Sequence, residues 1–252
     1  MQTLSVIIAA HGSSFHPGGE IVAEACRQHL ERTTHIGGAL LCAFWKGDRL
    51  PLRDAIAQCP KGHVLILPLL MNDGYFGETV FPREFEVPVS TRAWTQKNGH
   101  HVRLTPPAGL DPRFDQLVQT TVLHHLAKPD ERLILVSHGT ERDPRSKRRA
   151  YELKQNVDRL HGEYANRLSV AFLDEDPRLM DALQQEHVGG TTVLPWFSAD
   201  GAHAGVDIPD TLKAWGKPAT QLPSIGAQLF PIICEHRVHD VIQERPEDHG
   251  FS

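Results

Sequence analysis

Cysteine is scarce and scattered in this chain. Cys26, Cys42, Cys59 and Cys234 share no C-x-x-C spacing, which argues against a disulfide framework, a zinc knuckle or an iron–sulfur cluster. No apolar run approaches the ~20 residues of a membrane helix. The formal net charge of −5 offers no basic face for nucleic acid. A P-loop, a Gly-x-Gly-x-x-Gly fingerprint and a Gly-x-Ser-x-Gly elbow are also missing. Met1-Gln2-Thr3-Leu4 lacks the basic segment of a signal peptide. What remains, at 40% hydrophobic and 23% charged residues, is the composition of a globular protein. A cytoplasmic enzyme with a small-molecule partner is expected, without nucleic acid or membrane.

What the sequence does have is one unit written twice. His11-Gly12 and His138-Gly139 each close an apolar run, and 138 − 11 = 127. Pro68, Asp73, Gly74 and Pro82 answer Pro195, Asp200, Gly201 and Pro209 at the same offset. A repeat of this length implies two lobes, expected at residues 1–128 and 129–252 with the boundary near Lys128-Pro129-Asp130. One chain then carries both lobes, so an active monomer is expected.

Strand-like and helix-like segments alternate through both copies, as in parallel α/β sheets. Strands are expected near 4–10, 39–45, 63–70 and 101–105, and again near 132–137, 168–173, 190–197 and 218–222. This predicts four strands, mostly parallel and flanked by helices, in each lobe. Ile21, Val22, Cys26 and Leu30 mark one helix, answered by Leu153, Val157 and Leu160. The first copy holds six extra residues between Pro82 and Trp94, since Trp94 and Trp215 are only 121 apart. That segment, around Glu86 to Arg92, is expected as a surface loop.

Open α/β sheets bind ligands at the carboxyl ends of their strands. In the second copy His138, Asp174 with Glu175, and His203 all fall at such ends. The corresponding places in the first copy read His11, Lys46 and Phe76. Two neutral imidazoles and a carboxylate can hold a divalent first-row metal or take up protons near neutral pH. His138 and His203 are therefore the candidate catalytic pair, with Asp174 a third candidate metal ligand or simply a helix cap. Arg142, Arg145, Lys147, Arg148 and Arg149 are either a solvated helix face or an anchor for carboxylates. Cys234, His236 and His239 form a possible accessory metal cluster, explained more simply as helix-surface residues.

Three stretches carry a family resemblance: Ile134 to Thr140 across the His-Gly turn, Ala171-Phe172-Leu173-Asp174, and Gly201-Ala202-His203-Ala204-Gly205-Val206-Asp207-Ile208-Pro209. Together they resemble the CbiX/SirB group of class II tetrapyrrole chelatases, with the first copy matching more loosely. The resemblance implies two α/β lobes with a cleft, and insertion of cobalt or ferrous iron into sirohydrochlorin for cobalamin or sirohaem synthesis. It places the paired active-site histidines at His138 and His203, with the divalent metal as substrate and no tightly bound cofactor. Phe76 departs from the family's first-lobe pair, so the first lobe becomes a candidate wall for the macrocycle. His11, Phe76, Arg142 and Trp196 are candidate substrate contacts, together with Tyr75 and Phe197, core packing being the alternative for these aromatics. A non-catalytic metal or tetrapyrrole carrier using the same cleft remains open. A histidine phosphatase fits poorly, because Ala10 and Ser137 stand where its arginine would precede the His-Gly.

Overall fold

The computed structural model describes residues 3–13, 16–139 and 145–244. Uninterrupted apolar runs become strands covered on both faces. The first copy runs β1 (Leu4–Ala10), α1 (Gly18–Thr33), β2 (Leu40–Phe44), α2 (Leu52–Ala55), β3 (His63–Pro68), α3 (Phe81–Phe85), β4 (Thr95–Lys97), β5 (His100–Leu104) and α4 (Pro112–Leu126). The second runs β6 (Arg132–Ser137), α5 (Arg145–Leu160), β7 (Leu168–Phe172), α6 (Leu179–Gln184), β8 (Thr191–Pro195), α7 (Ile208–Trp215), β9 (Thr220–Gln221) and α8 (Ile225–Gln243). The expected strands all form, in two mostly parallel sheets flanked by helices.

The sheet orders are β2-β1-β3-β5-β4 and β7-β6-β8-β9. The first sheet therefore has five strands, where four were expected. Its fifth, β4, is antiparallel on the edge, pairing Gln96 with His101. Leu65 aligns with Arg103 in the first copy and Thr192 with Thr220 in the second. Because 192 − 65 = 127 but 220 − 103 = 117, the first copy spends ten extra residues (127 − 117) on this edge. The segment expected as a surface loop also lies partly against the sheet: Val89 bridges to Leu104, and Val87 is buried.

Packing divides the chain differently from the repeat. One compact unit holds the chain up to Asp111 plus the stretch from Phe230 onward, and the other is Pro112–Leu229. Each copy thus gives its terminal helix to the other unit: α4 belongs with the second sheet, and α8 from Phe230 with the first. The boundary near Lys128 marks where the repeat restarts, but the folded units do not follow it. The reason is visible in side chains that single-copy patterns ignore. In the second unit, Phe114 of α4 meets Trp196 edge-on at 6.2 Å between ring centroids. In the first, buried Arg237 of α8 donates to Asp111 Oδ2 and Thr105 Oγ1, both at 3.0 Å, and to the Pro106 and Pro107 carbonyls. Arg103, 1% exposed, forks onto Glu244 at 2.7 and 2.8 Å.

Both units seat the approach to the exchanged helix in the same way. Gly109 N donates to Leu70 O and Gly226 N to Phe197 O, each at 2.9 Å. A Cβ on Gly109 would overlap the Met71 backbone, and one on Gly226 would lie 2.6 Å from Ser198. The acceptors and the obstructed residues are each 127 apart (197 − 70 and 198 − 71), so the contact repeats along with the sequence.

Removing a guanidinium from a buried carboxylate costs about 3 kcal/mol or more. Arg237→Met is expected to lower the unfolding free energy by about that amount, because methionine covers the apolar stem but supplies none of the four donor contacts. Urea unfolding of wild type and variant, compared at the same slope, checks this.

Candidate functional site

In each sheet the first strand lies between the second and third strands, so the chain reverses its winding direction beside it. Such a switch point opens a crevice at the carboxyl ends of the two central strands. In the second unit these are β6 and β8, paired in parallel from Arg132 with Thr191 to Val136 with Pro195. His138 follows β6. His203 follows β8 at the start of a π-helical turn, His203–Asp207, that runs directly into α7. Turns of this kind recur at functional sites.

Backbone geometry aims each ring. Gly139 has φ +74°, a left-handed conformation that glycine adopts without strain. An added Cβ there would also meet Glu175 Cγ at 2.7 Å and Phe172 Cβ at 2.9 Å. The turn folds the Gly139 carbonyl back to His138 Nδ1 at 2.6 Å. Across from it, the loop before His203 is held by Asp200 Oδ1, which accepts from Ser224 N at 2.8 Å and Ser224 Oγ at 2.6 Å. Gln221 of β9 ties the turn itself, donating to Ala204 O at 2.6 Å.

The two histidines meet. Their ring centroids are 4.5 Å apart with planes at 89°, and Phe197 lies 5.7 Å from His203. Both Nδ1 atoms face acceptors: Gly139 O for His138, and Asp207 Oδ2 at 2.6 Å for His203. A carbonyl and a carboxylate can only accept, so Nδ1 carries a proton on both rings, and in the neutral imidazole Nε2 keeps its lone pair. This is the back-side hydrogen bonding that orients a metal-binding or proton-accepting imidazole. Both rings are about two-fifths exposed, His138 at 44% and His203 at 43% of the side chain.

Several sequence expectations find different places. Asp174 Oδ2 lies 3.3 Å from His138 Nδ1, behind the ring and away from Nε2. The three-donor set of His138, His203 and Asp174 is not assembled: among the described residues no group of three or more His, Cys, Asp and Glu is arranged to hold a metal. The same finding covers Cys234, His236 and His239. Cys234 is buried, while Glu235 takes up His29 at 2.6 Å. Trp196 is 3% exposed against Phe114 and is a core residue, so the candidate substrate contact there is withdrawn. Its neighbour Phe197, just past the end of β8, is turned toward His203 instead. Arg142 lies outside the described residues. Of its neighbours, Lys147 pairs with Glu175, Arg148 with Glu152 at 3.6 Å, and Arg149 with Asp115, which ties this part of the cluster to its own unit. Asp207 was not singled out from sequence, although its i, i+4 spacing from His203 was the available signal.

The first unit keeps the frame and changes the chemistry. Gly12 has φ +68°, and His11 Nδ1 meets Gly12 O at 2.6 Å. Phe76 stands where the second histidine would be, edge-on to His11 at 4.6 Å, with Trp45 at 5.0 Å from His11 and 5.1 Å from Phe76. Lys46 Nζ sits 4.8 Å from the Trp45 ring centre.

Known proteins share this architecture. A 1.9 Å crystal structure of a multi-domain Deinococcus radiodurans protein, described as similar to chelatases with two additional domains, superposes with a TM-score of 0.74 at 19% identity. The match covers 99% of this chain but only 57% of that one. Bacillus subtilis SirB, a sirohydrochlorin chelatase solved with cobalt, gives a TM-score of 0.68 at 15% identity, covering 97% of each chain. A probable sirohydrochlorin cobaltochelatase of Halobacterium salinarum is 25% identical over 226 residues, 82% of this chain and 75% of the relative. The CbiX family model matches twice in succession, over residues 5–124 and 132–248, and with both copies of the repeat accounted for in this way the chain belongs to the CbiX family.

Proposed function

We propose that this protein inserts a divalent metal, cobalt or ferrous iron, into sirohydrochlorin or a closely related tetrapyrrole, with the second copy as the reactive centre. The observation that carries this reading is the His138–His203 pair, two rings 4.5 Å apart with both Nδ1 atoms engaged and both Nε2 lone pairs available. The substrate class in this reading is supported by the Halobacterium relative, a probable sirohydrochlorin cobaltochelatase.

The reaction makes two demands. The free-base macrocycle must lose two inner N–H protons, and the aqueous metal must shed water as ring nitrogens replace it. Two imidazoles serve both: a neutral Nε2 is a ligand for first-row metals and a base near neutral pH. Their surroundings orient both rings. Asp207 Oδ2, 2.6 Å from His203 Nδ1, accepts that ring's Nδ1–H and turns Nε2 outward. The Gly139 carbonyl does the same for His138 at 2.6 Å, with Asp174 Oδ2 at 3.3 Å. Asp174 and Asp207 thus act as positioning residues behind the rings. Phe197 supplies apolar surface beside them.

Purified protein mixed with sirohydrochlorin and Co²⁺, Fe²⁺ or Ni²⁺ in turn, followed by absorbance, is expected to accelerate metallation above the spontaneous rate. No acceleration with any metal would leave a carrier as the better reading.

The duplicated frame provides the control for substitutions. His203→Ala and His138→Ala are each expected to slow metallation at least about tenfold, roughly 1.4 kcal/mol of barrier. His11→Ala, which disturbs an equivalent strand end without a partner histidine, is expected to cost clearly less. Initial rates at matched folded concentration decide the order, and a more damaging His11→Ala would move the reactive centre to the first copy.

Asp207→Asn removes the charge behind His203 while keeping its size. Loss of such a partner typically costs about 10- to 100-fold. The expected signature is a reduced maximal metallation rate with little change in the sirohydrochlorin concentration for half-saturation, since His203 loses the acceptor that orients it. An unchanged maximal rate would remove Asp207 from the mechanism.

A further inference from the structure

The first copy retains a donor that the proposed reaction does not use. His11 Nδ1 is tied to Gly12 O at 2.6 Å, just as His138 is to Gly139 O, so His11 Nε2 also keeps its lone pair. Its surroundings are those of a different ligand. Phe76 and Trp45 lie at 4.6 and 5.0 Å from the imidazole. Tyr75, 62% exposed, extends the aromatic surface 5.7 Å from Phe76. Exposed Lys46 stands over Trp45, and among the described residues no carboxylate pairs with it. Backbone bonds from Trp45 N to Ala10 O at 3.1 Å and from Lys46 N to His11 O at 2.9 Å fix both residues beside the histidine.

One nitrogen among hydrocarbon rings is a poor trap for a hydrated metal ion, which gives up its waters only to several replacement donors. It suits a metal already held by four pyrrole nitrogens. Such a metal needs only an axial ligand, and a single imidazole is sufficient. The flat apolar face of a macrocycle finds aromatic partners here, and its carboxylate rim finds a cation. Phe76, which abolishes a two-histidine centre, is what favours the second ligand over the first.

We propose that the first copy is a binding site for a metallated tetrapyrrole, in which His11 Nε2 ligates the macrocycle's metal, Phe76 and Trp45 pack on its face and Lys46 meets a carboxylate. The ligand class rests on the function proposed above. It uses none of the residues of the His138–His203 pair, and its readout is binding, not turnover.

Iron(III) uroporphyrin, a metallated macrocycle rich in carboxylates, is the probe. It is titrated into wild type, His11→Ala, His11→Gln, Lys46→Ala and the His138→Ala/His203→Ala double variant, each checked for fold by circular dichroism. Wild type and the double variant are expected to give the absorption and electron paramagnetic signature of imidazole ligation. Both His11 variants are expected to lose that signature and to bind at least about tenfold more weakly. Lys46→Ala is expected to bind more weakly with the signature intact. Retention of the signature in both His11 variants overturns the proposal, and so does its loss in the double variant alone. The two readings fail separately: His11-dependent ligation without accelerated metallation overturns only the chelatase reading, and accelerated metallation without His11-dependent ligation overturns only this one.

Discussion

Parallel pairing of adjacent strands is the constraint on which everything else in this fold depends. Parallel strands cannot be joined by a tight turn, so each needs a crossover, and every crossover leaves from the same edge of the sheet. β6 and β8 lie side by side in register, yet the chain visits β7 between them. The residues that follow β6 and β8 therefore converge although His138 and His203 are 65 positions apart (203 − 138). No local interaction brings the two histidines together. Hydrogen bonds to Gly139 and Asp207 then convert that proximity into direction, fixing which nitrogen faces outward.

The duplication makes the same frame visible twice. The T-shaped contact of His138 with His203 at 4.5 Å is matched by His11 with Phe76 at 4.6 Å, so the strand ends impose the geometry regardless of which ring is present. Chemistry is a separate layer. Exchanging imidazole for phenyl preserves the shape and the packing while removing a ligand and a base. The chain thus holds a polar centre and an aromatic one on equivalent scaffolds, and the reactive and binding roles proposed above start from that difference.

The terminal helices bind each unit to the other copy's sequence. Arg237, in the second copy, supplies donors to Asp111, Thr105, Pro106 and Pro107 of the first unit, and Phe114, in the first copy, packs on Trp196 of the second. Neither copy as written in the sequence contains its own complete core. Buried ionic contacts of this kind cost desolvation and add little net stability as a pair, but they are expensive to break singly, which fixes where α8 docks.

The sequence by itself determined the parallel strands, though not the antiparallel edge strand β4, because the apolar runs bounded by His-Gly and Pro at the sheet centres leave little choice, and it determined the repeat and the candidate histidines, because a constant offset of 127 can be counted. It also showed that Phe76 breaks the pair. Tertiary structure alone decided which copy's helix covers which sheet, since α4 and α8 have apolar faces that either sheet could accept and only contacts such as Arg237 with Asp111 distinguish them. It decided that Trp196 is core and Phe197 faces His203, a one-residue difference that an apolar run does not record. It placed Asp174 behind His138 instead of beside its open nitrogen, and added Asp207 behind His203. Those placements depend on backbone direction at a turn, set by the positive φ of Gly139 and the π-helical turn at His203, and a direction in space is not a property that residue spacing carries.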